Sequence, residues 1–352
     1  MDRRRACREP TVMGERQSLA FLLCVEAGAL EPQALLLARS IRRWAGDYAG
    51  NPIHAFRPRV GPSLEAGTYA SLEELGVVLH EEVLNRDHHD YVHVNTTYAM
   101  LWAEEHLDAE IVVWCDSDKV FLSEPSSFDL RPGIDAAATG PYYHARHGPK
   151  SAGPGDPFDP YWRRLYDLAG VTEEPYLTAL VDGRRLRAFW NGGLIVFRRS
   201  AGLAREWLQL FEQVLGAGHV PEKKGILNLD QLTLAAMLAR RPDAVDELDR
   251  RHNHNLGLRA ILPEPQRSYE LADLVSVHHH GWFNRVGFLE DLRPPLDRDS
   301  ERYRWLQEFL PLEPTNTKPL RGLEERPRRR PRRRGWRRLG RRVRRRLRSA
   351  RG

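Results

Sequence analysis

Residues 111–118 read "IVVWCDSD", five non-polar residues followed at once by two acids with a serine between them. A run from Ile111 to Cys115 without polar interruption suits a strand covered on both faces, as in a parallel sheet held between layers of helices. On such a strand Asp116 and Asp118, two residues apart, project to the same side where the chain emerges. Two like charges so placed repel unless a cation lies between them, and the identity of that cation is the question the stretch raises.

Upstream of it, strand-like and helix-like segments alternate. "SLAFLLCVEAG" is followed by the helical "EPQALLLARSIRRWAG" and by "NPIHAFRPR"; "SLEEL", "GVVLH" and "NTTYAMLWAEEHL" then lead to "AEIVVWCDSD". This order predicts crossover connections and a largely parallel α/β sheet. The apolar-to-acidic junction then lies at the carboxyl edge of a strand, where open α/β sheets hold their ligands. Downstream, the Gly/Pro-rich "RHGPKSAGPGDPFDP" (146–160) reads as a mobile cover or acceptor loop. Helices "YWRRLYDLAG" and "SAGLAREWLQLFEQVLGAG" flank a strand pair, "LRAFWNGGLIVFRR", and a further helix begins near "LNLDQLTLAAML". "LRAILPE" and "DLVSVHHHGWFN" read as late strands, and no internal repeat interrupts the series.

With 352 residues and 41% hydrophobic content, the chain can fill the core of one large α/β domain or two small ones. No apolar run approaches the roughly 20 residues that span a bilayer. The basic opening "MDRRRACREPTVMGER" has neither the hydrophobic region nor the cleavage site of a signal peptide, so 1–16 reads as a disordered leader with Met13 an alternative start. Cys7, Cys24 and Cys115 are odd in number and lack metal-ligand spacing, and two of them fall in expected buried strands. A reduced, cytoplasmic setting without disulfides fits them.

The net charge of +6 conceals an uneven distribution, because residues 326–352 carry 16 arginines and no acid, leaving 38 basic against 48 acidic residues elsewhere. The chain therefore divides into a domain over 17–312, a linker over 313–325 and an Arg-rich tail over 326–352. In the tail, Trp336, Leu339, Val343 and Leu347 would share one stripe of a helix over 336–348, with arginines around the rest. That suits attachment to the anionic inner face of a membrane; nucleic acid, held only by charge, fits the apolar stripe less well.

The Asp-x-Asp admits several readings. As a bare pair of acids it is commonly a turn. At a strand exit it can hold Mg²⁺ or Mn²⁺, which neutralises a diphosphate. "VVWCDSDKV" also matches the motif of haloacid-dehalogenase-like phosphatases, in which Asp116 would attack phosphorus and Asp118 would act as acid and base. That motif normally opens its domain, whereas here a long α/β stretch precedes it. A non-enzymatic reading makes the chain a polyanion-binding protein acting through its tail.

Four stretches, "WCDSD", "WNGG", "LNLDQ" and "HHHGWFN", occur in one order between residues 110 and 284. In that order the chain resembles metal-dependent GT-A glycosyltransferases, especially glycosyltransferase family 8. The resemblance implies a GT-A (Rossmann-like) α/β fold, its mixed, mostly parallel sheet flanked by helices, followed here by the basic tail. It also implies Mn²⁺ or Mg²⁺, a nucleoside diphosphate sugar donor, UDP-linked, and an acceptor hydroxyl on a glycan, a lipid-linked molecule or a protein.

Carried over residue by residue, Asp116 and Asp118 are the family's Asp-x-Asp, the second the firmer metal ligand and the first shared with the ribose. His278, three residues before Gly281, matches the late His-x-x-Gly ligand, although His279 and His280 leave its register open. Asn191, Gly192 and Gly193 match the segment lining the donor-sugar and acceptor site, with a tight turn as the structural alternative. Asp230 would bind donor-sugar hydroxyls and Gln231 would face the anomeric carbon, though an acid at a helix start also favours the dipole. Family 8 often has a diphosphate-gripping lysine where this chain has Asn284; Arg285, next in line, would substitute. In a retaining enzyme Asp230 or Gln231 steadies the transition state, and in an inverting one Asp230 would be the base. Trp114, Trp190 and Trp282, beside the motifs, are assigned to packing, with stacking on a sugar ring as the alternative.

Overall fold

The computed structural model describes residues 16–143, 150–221 and 228–314. The leader before Arg16, the first part of the 146–160 loop, and the tail with its 336–348 helix lie outside the described residues.

In chain order the elements are β1 (Leu19–Cys24), α1 (Leu30–Trp44), β2 (Ile53–Phe56), α2 (Ala66–Glu74), β3 (Val77–His80), α3 (Asn95–His106), β4 (Ile111–Cys115), β5 (Lys119–Phe121) and β6 (Ala136–Ala138). They continue with α4 (Asp159–Ala169), β7 (Tyr176–Thr178), β8 (Arg185–Arg187), β9 (Leu194–Arg198), α5 (Leu203–Gly216), α6 (Leu229–Ala239), β10 (Val245–Glu247), β11 (Ser276–His278) and α7 (Glu301–Gln307). Seven strands form one sheet in the order β10-β6-β9-β4-β1-β2-β3. Its pairs are parallel except where β9 runs antiparallel to β4 and β6. The largely parallel sheet flanked by helices is the one that the alternation predicts, and its mixed character is the one that the GT-A resemblance implies.

The continuous hydrophobicity of β1 and β4 follows from burial on both faces, every residue of each being buried. Successive side chains divide between two cores. Leu22, Val112 and Trp114 join one with residues of α3, α5 and α6. Phe21, Leu23, Ile111 and Val113 join the other with Ala34, Leu37 and Ile41 of α1. Each such large side chain contributes about 1.5–3 kcal/mol, so a single polar residue within Ile111–Cys115 would cost the sheet heavily.

Three local readings change. "LRAILPE" does not form a strand; Leu256–Ile261 is a 3₁₀ segment. The buried Arg259 accounts for this, since its guanidinium donates to the carbonyls of Pro294 and Tyr269, and a local turn places it there. "LRAFWNGGLIVFRR" does supply two strands, but they part company: β8 pairs with β7, while β9 inserts between β4 and β6. The alanines of β6 gave no strand signal because alanine has low strand preference, yet their small side chains fit the buried position beside β9.

Among the described residues no helix is long and apolar enough to cross a membrane. Cys24 and Cys115 are buried in β1 and β4, as expected, and carry free thiols; Cys7 lies outside the described residues.

Candidate active site

The two acids are brought together by a turn rather than by strand alternation. β4 ends at Cys115, and the backbone N–H of Lys119 donates to the Asp116 carbonyl at 3.0 Å, folding residues 116–119 back into β5. β11 runs antiparallel to β5 with His278 opposite Lys119, which delivers the imidazole to the acids. His278 Nε2 lies 2.9 Å from Asp118 Oδ1 and 3.7 Å from Asp116 Oδ2. The Trp114 indole N–H donates to Asp116 Oδ1 at 2.8 Å, so one oxygen of that carboxylate is held and the other faces His278.

The three consecutive histidines separate. His279 is fully buried, stacked on Phe283 at 4.4 Å and 9°, and burial pushes its pKa down to about 4, so it is a neutral core residue. His280 folds back over His278 with ring centroids 3.7 Å apart. Its donor atom joins those of Asp118 and His278 in a group that all lie within 4.8 Å of one another. To do so His280 takes a left-handed backbone with φ of 49°, followed by Gly281 at 74°. A non-glycine residue there costs on the order of 1 kcal/mol or more, strain of the kind that gathers at functional sites.

Electrostatics separate the two carboxylates. Burial works against ionisation of both. For Asp118 the adjacent His278 imidazole, by charge and by hydrogen bond, overcomes burial and holds the carboxyl well below its ordinary range. For Asp116 burial prevails over the pull of His278, with repulsion from Asp118 added, and the pKa is raised. Asp118 is thus the acid most firmly ionised for a cation.

The Asn191–Gly193 turn packs directly against this group. Gly193 O accepts the N–H of Asp116 at 2.9 Å, and Asn191 Oδ1 accepts the N–H of Gly193 at 2.9 Å. A Cβ on Gly193 would fall 2.4 Å from His278 Cε1, which explains the glycine; one on Gly192 would fall 3.3 Å from Gln231 Cγ. The turn therefore touches His278 on one side and Gln231, at the start of α6, on the other.

Asp230 precedes Gln231 and is buried. The Tyr91 hydroxyl donates to its Oδ1 and accepts its backbone N–H at 3.2 Å, while the Trp207 indole donates to its carbonyl at 2.9 Å. Burial raises its pKa, with the charge of His93 pulling the other way. Arg285 forms a half-exposed ion pair with Asp291. Trp114 and Trp190 are buried, and Trp282 is 41% exposed, stacked on Phe288.

Sequence reasoning missed three side chains. Tyr91, on a loop, holds Asp230. Lys119 is completely buried, its Nζ donating to Asn253 Oδ1 at 2.7 Å, and burial lowers its pKa to about 8 against the opposing pull of Cys115 and the two aspartates. Asn253 in turn donates to Asn191 Oδ1 and Thr139 Oγ1. The available signal was a lysine opening an apolar strand, "KVFL", where an unpaired charge is costly.

The profile of the Rhodobacterales glycosyltransferase domain matches residues 21–241. No curated protein sequence matches the chain. Among solved structures, the bifunctional glycosyltransferase WbbM is similar at 13% identity with a TM-score of 0.46, over 86% of this chain and 52% of that one. The chain thus spans about half the length of WbbM. Mouse xyloside xylosyltransferase 1 is similar at 14% identity and a TM-score of 0.44, over 75% of this chain and 97% of that one. The galactosyltransferase LgtC, solved with donor and acceptor sugar analogues, is similar at 14% identity and 0.45, over 83% and 96%.

Proposed function

The chain belongs to the Rhodobacterales glycosyltransferase domain family and is a glycosyltransferase; on that premise we propose that it is a metal-dependent enzyme resembling family 8, taking sugar from a UDP-linked donor. The acceptor is a hydroxyl on a glycan, a lipid-linked molecule or a protein. The observation that carries this reading is the meeting of Asp118 with His278 at 2.9 Å, beside Asp116 and against the Asn191–Gly193 turn. Family membership supports sugar transfer over the phosphatase reading of Asp116 and over a purely polyanion-binding role.

The donor set fits the cation. One firmly ionised carboxylate, a second beside it and one or two imidazoles suit Mn²⁺, which accepts nitrogen as well as oxygen; Mg²⁺ would use mainly the carboxylates. Asp118 and His278 would hold the ion, with Asp116 and His280 alongside. Bound there, it would offset negative charge on the departing diphosphate.

The remaining roles fall to the chain's own groups. The Asn191 amide meets sugar hydroxyls, and Gly192 and Gly193 let the sugar approach the backbone. Asp230, steadied by Tyr91, binds donor-sugar hydroxyls; Gln231 faces the anomeric carbon and supports its developing positive charge. Arg285 reaches the diphosphate only by leaving Asp291. The Arg-rich 336–348 segment brings the domain to the cytoplasmic face of an anionic membrane, a reading supported by its charge and apolar stripe alone.

A thermal-shift panel of UDP-, GDP-, TDP- and ADP-sugars, with and without Mn²⁺ or Mg²⁺, tests the proposal, because a bound donor raises apparent stability by mass action. A metal-dependent shift with a UDP-sugar, lost in Asp118→Ala, is expected. No shift with any donor, and no effect of Asp118→Ala, would end the reading.

A further inference from the structure

Asn191 Oδ1 accepts two hydrogen bonds, one from the backbone N–H of Gly193 and one from Asn253 Nδ2, both at 2.9 Å. A backbone N–H can only donate, so the oxygen of Asn191 must face inward and its NH₂ outward. Asn253 is itself oriented from both ends. Its Nδ2 also donates to Thr139 Oγ1 at 3.0 Å, and its Oδ1 accepts from Lys119 Nζ at 2.7 Å. The Tyr142 hydroxyl donates to the Asn253 carbonyl at 2.7 Å, fixing its backbone. Lys119 and Thr139 are wholly buried and Asn253 is 1% exposed, so water cannot replace a missing bond. Flipping either amide would set NH₂ against N–H or oxygen against oxygen inside the protein. The outward Nδ2 of Asn191 makes no hydrogen bond with any described residue.

We propose that Lys119 and Asn253 are positioning residues that fix the Asn191 amide with its NH₂ turned to the substrate, so that this position presents only a donor and selects an acceptor oxygen on the sugar. The inference rests on the reading of Asn191 as a donor-sugar contact. It explains why a lysine lies buried behind the acidic turn: it is the terminal donor of a polarised chain from β5 through Asn253 to the Asn-Gly-Gly turn. Asn191 thereby reaches the substrate with its orientation already set, and none of the binding energy goes into choosing it.

Two measurements on the full chain test this. In the first, side-chain amide hydrogen exchange is followed by NMR without ligand, with signals assigned by their loss in Asn253→Asp and Asn191→Asp. Slow exchange at Asn253 and fast exchange at Asn191 are expected; exchange at Asn253 as fast as at exposed asparagines overturns the relay. In the second, calorimetry with Mn²⁺ compares UDP and UDP-glucose. Asn191→Asp keeps the inward acceptor but turns a second acceptor outward, and Asn253→Asp removes one of the two bonds that hold the amide and sets an oxygen against it. Each should leave UDP affinity within about twofold and cut the excess affinity of UDP-glucose over UDP about tenfold. An equal loss for both ligands, or no loss in either variant, refutes the proposal. If the wild-type chain binds neither ligand, the donor-sugar reading fails and with it the selection by Asn191; the exchange rates then decide the orientation by themselves.

Discussion

Replacing Tyr91 by phenylalanine removes one oxygen from the centre of the protein and leaves the packing intact, since the ring keeps its parallel stack on Phe211 at 5.7 Å and 5°. The lost hydroxyl served Asp230 twice, donating to Oδ1 and accepting the backbone N–H at 3.2 Å. A hydrogen bond to an ionised group contributes about 1.5–3 kcal/mol and a neutral one about 0.5–1.5, so Tyr91→Phe should cost roughly 2–4 kcal/mol at a pH where Asp230 is ionised. In a protein of this size that is a fall of about 3–6 °C in melting temperature. Thermal and urea melts of Tyr91→Phe, Asp230→Asn and the double variant would measure it. The double variant should lose less than Tyr91→Phe alone, because an amide left without its partner costs less than a carboxylate. Once the donor is known, activity of Tyr91→Phe should fall with stability, since Asp230 is no longer held. A melting temperature within about a degree of wild type would refute the reasoning, showing that water or a rotated side chain satisfies Asp230.

Other outcomes follow from the arrangement of the same groups. Asp118→Asn should lower donor- and metal-dependent activity by about a hundredfold or more, whereas His279→Leu should keep the Mn²⁺-dependent thermal shift, because that ring packs on Phe283; a reversed result would reassign the ligand. Gly193→Ala should keep the fold by circular dichroism but weaken Mn²⁺ binding, since the new methyl falls on the His278 ring. Asp230→Asn should have a pH-dependent effect on stability. Burial raises the folded-state pKa of Asp230 above the unfolded value of about 3.9, so the folded form favours the proton and the ionised group weakens the fold. The variant should therefore melt higher than wild type above the raised folded-state pKa. The gap should close as pH falls from there to the unfolded value; a gap that widens on acidification would contradict the sign.

Much of the framework was legible because it is written in short-range patterns. Uninterrupted apolar runs at Leu19–Cys24 and Ile111–Cys115 announce strands buried on both faces, and the residues following β4 mark its open edge. Asp118 and His278 could be singled out through the family resemblance that their motifs carry, and the two side chains do meet. What the sequence concealed depends on contacts across the fold. Which of three adjacent histidines turns inward is decided by the left-handed backbone at His280 and by Phe283 waiting for His279. Tyr91 carries no motif, and its link to Asp230 exists only once α6 has docked. A tight turn between paired strands was the structural alternative for "WNGG", but the two strands pair elsewhere and Asn191 bonds to Thr139, Gly193 and Asn253.

The reversed strand β9 has a consequence for how the chain reaches its active form. Because it runs against its neighbours, its beginning meets the end of β4, with Cys115 opposite Leu194 and Asp116 bonded to Gly193. β5 finds its partner still later, in β11. A nascent chain that has formed β1 to β4 thus carries the acidic turn but neither the glycine turn nor the histidine that complete it. Non-local pairings of this kind are slow to form, because loop closure precedes any gain from contact. Binding competence should therefore appear in one late step of refolding, after most helical signal has returned, making the proposed Mn²⁺ binding a reporter of completed folding.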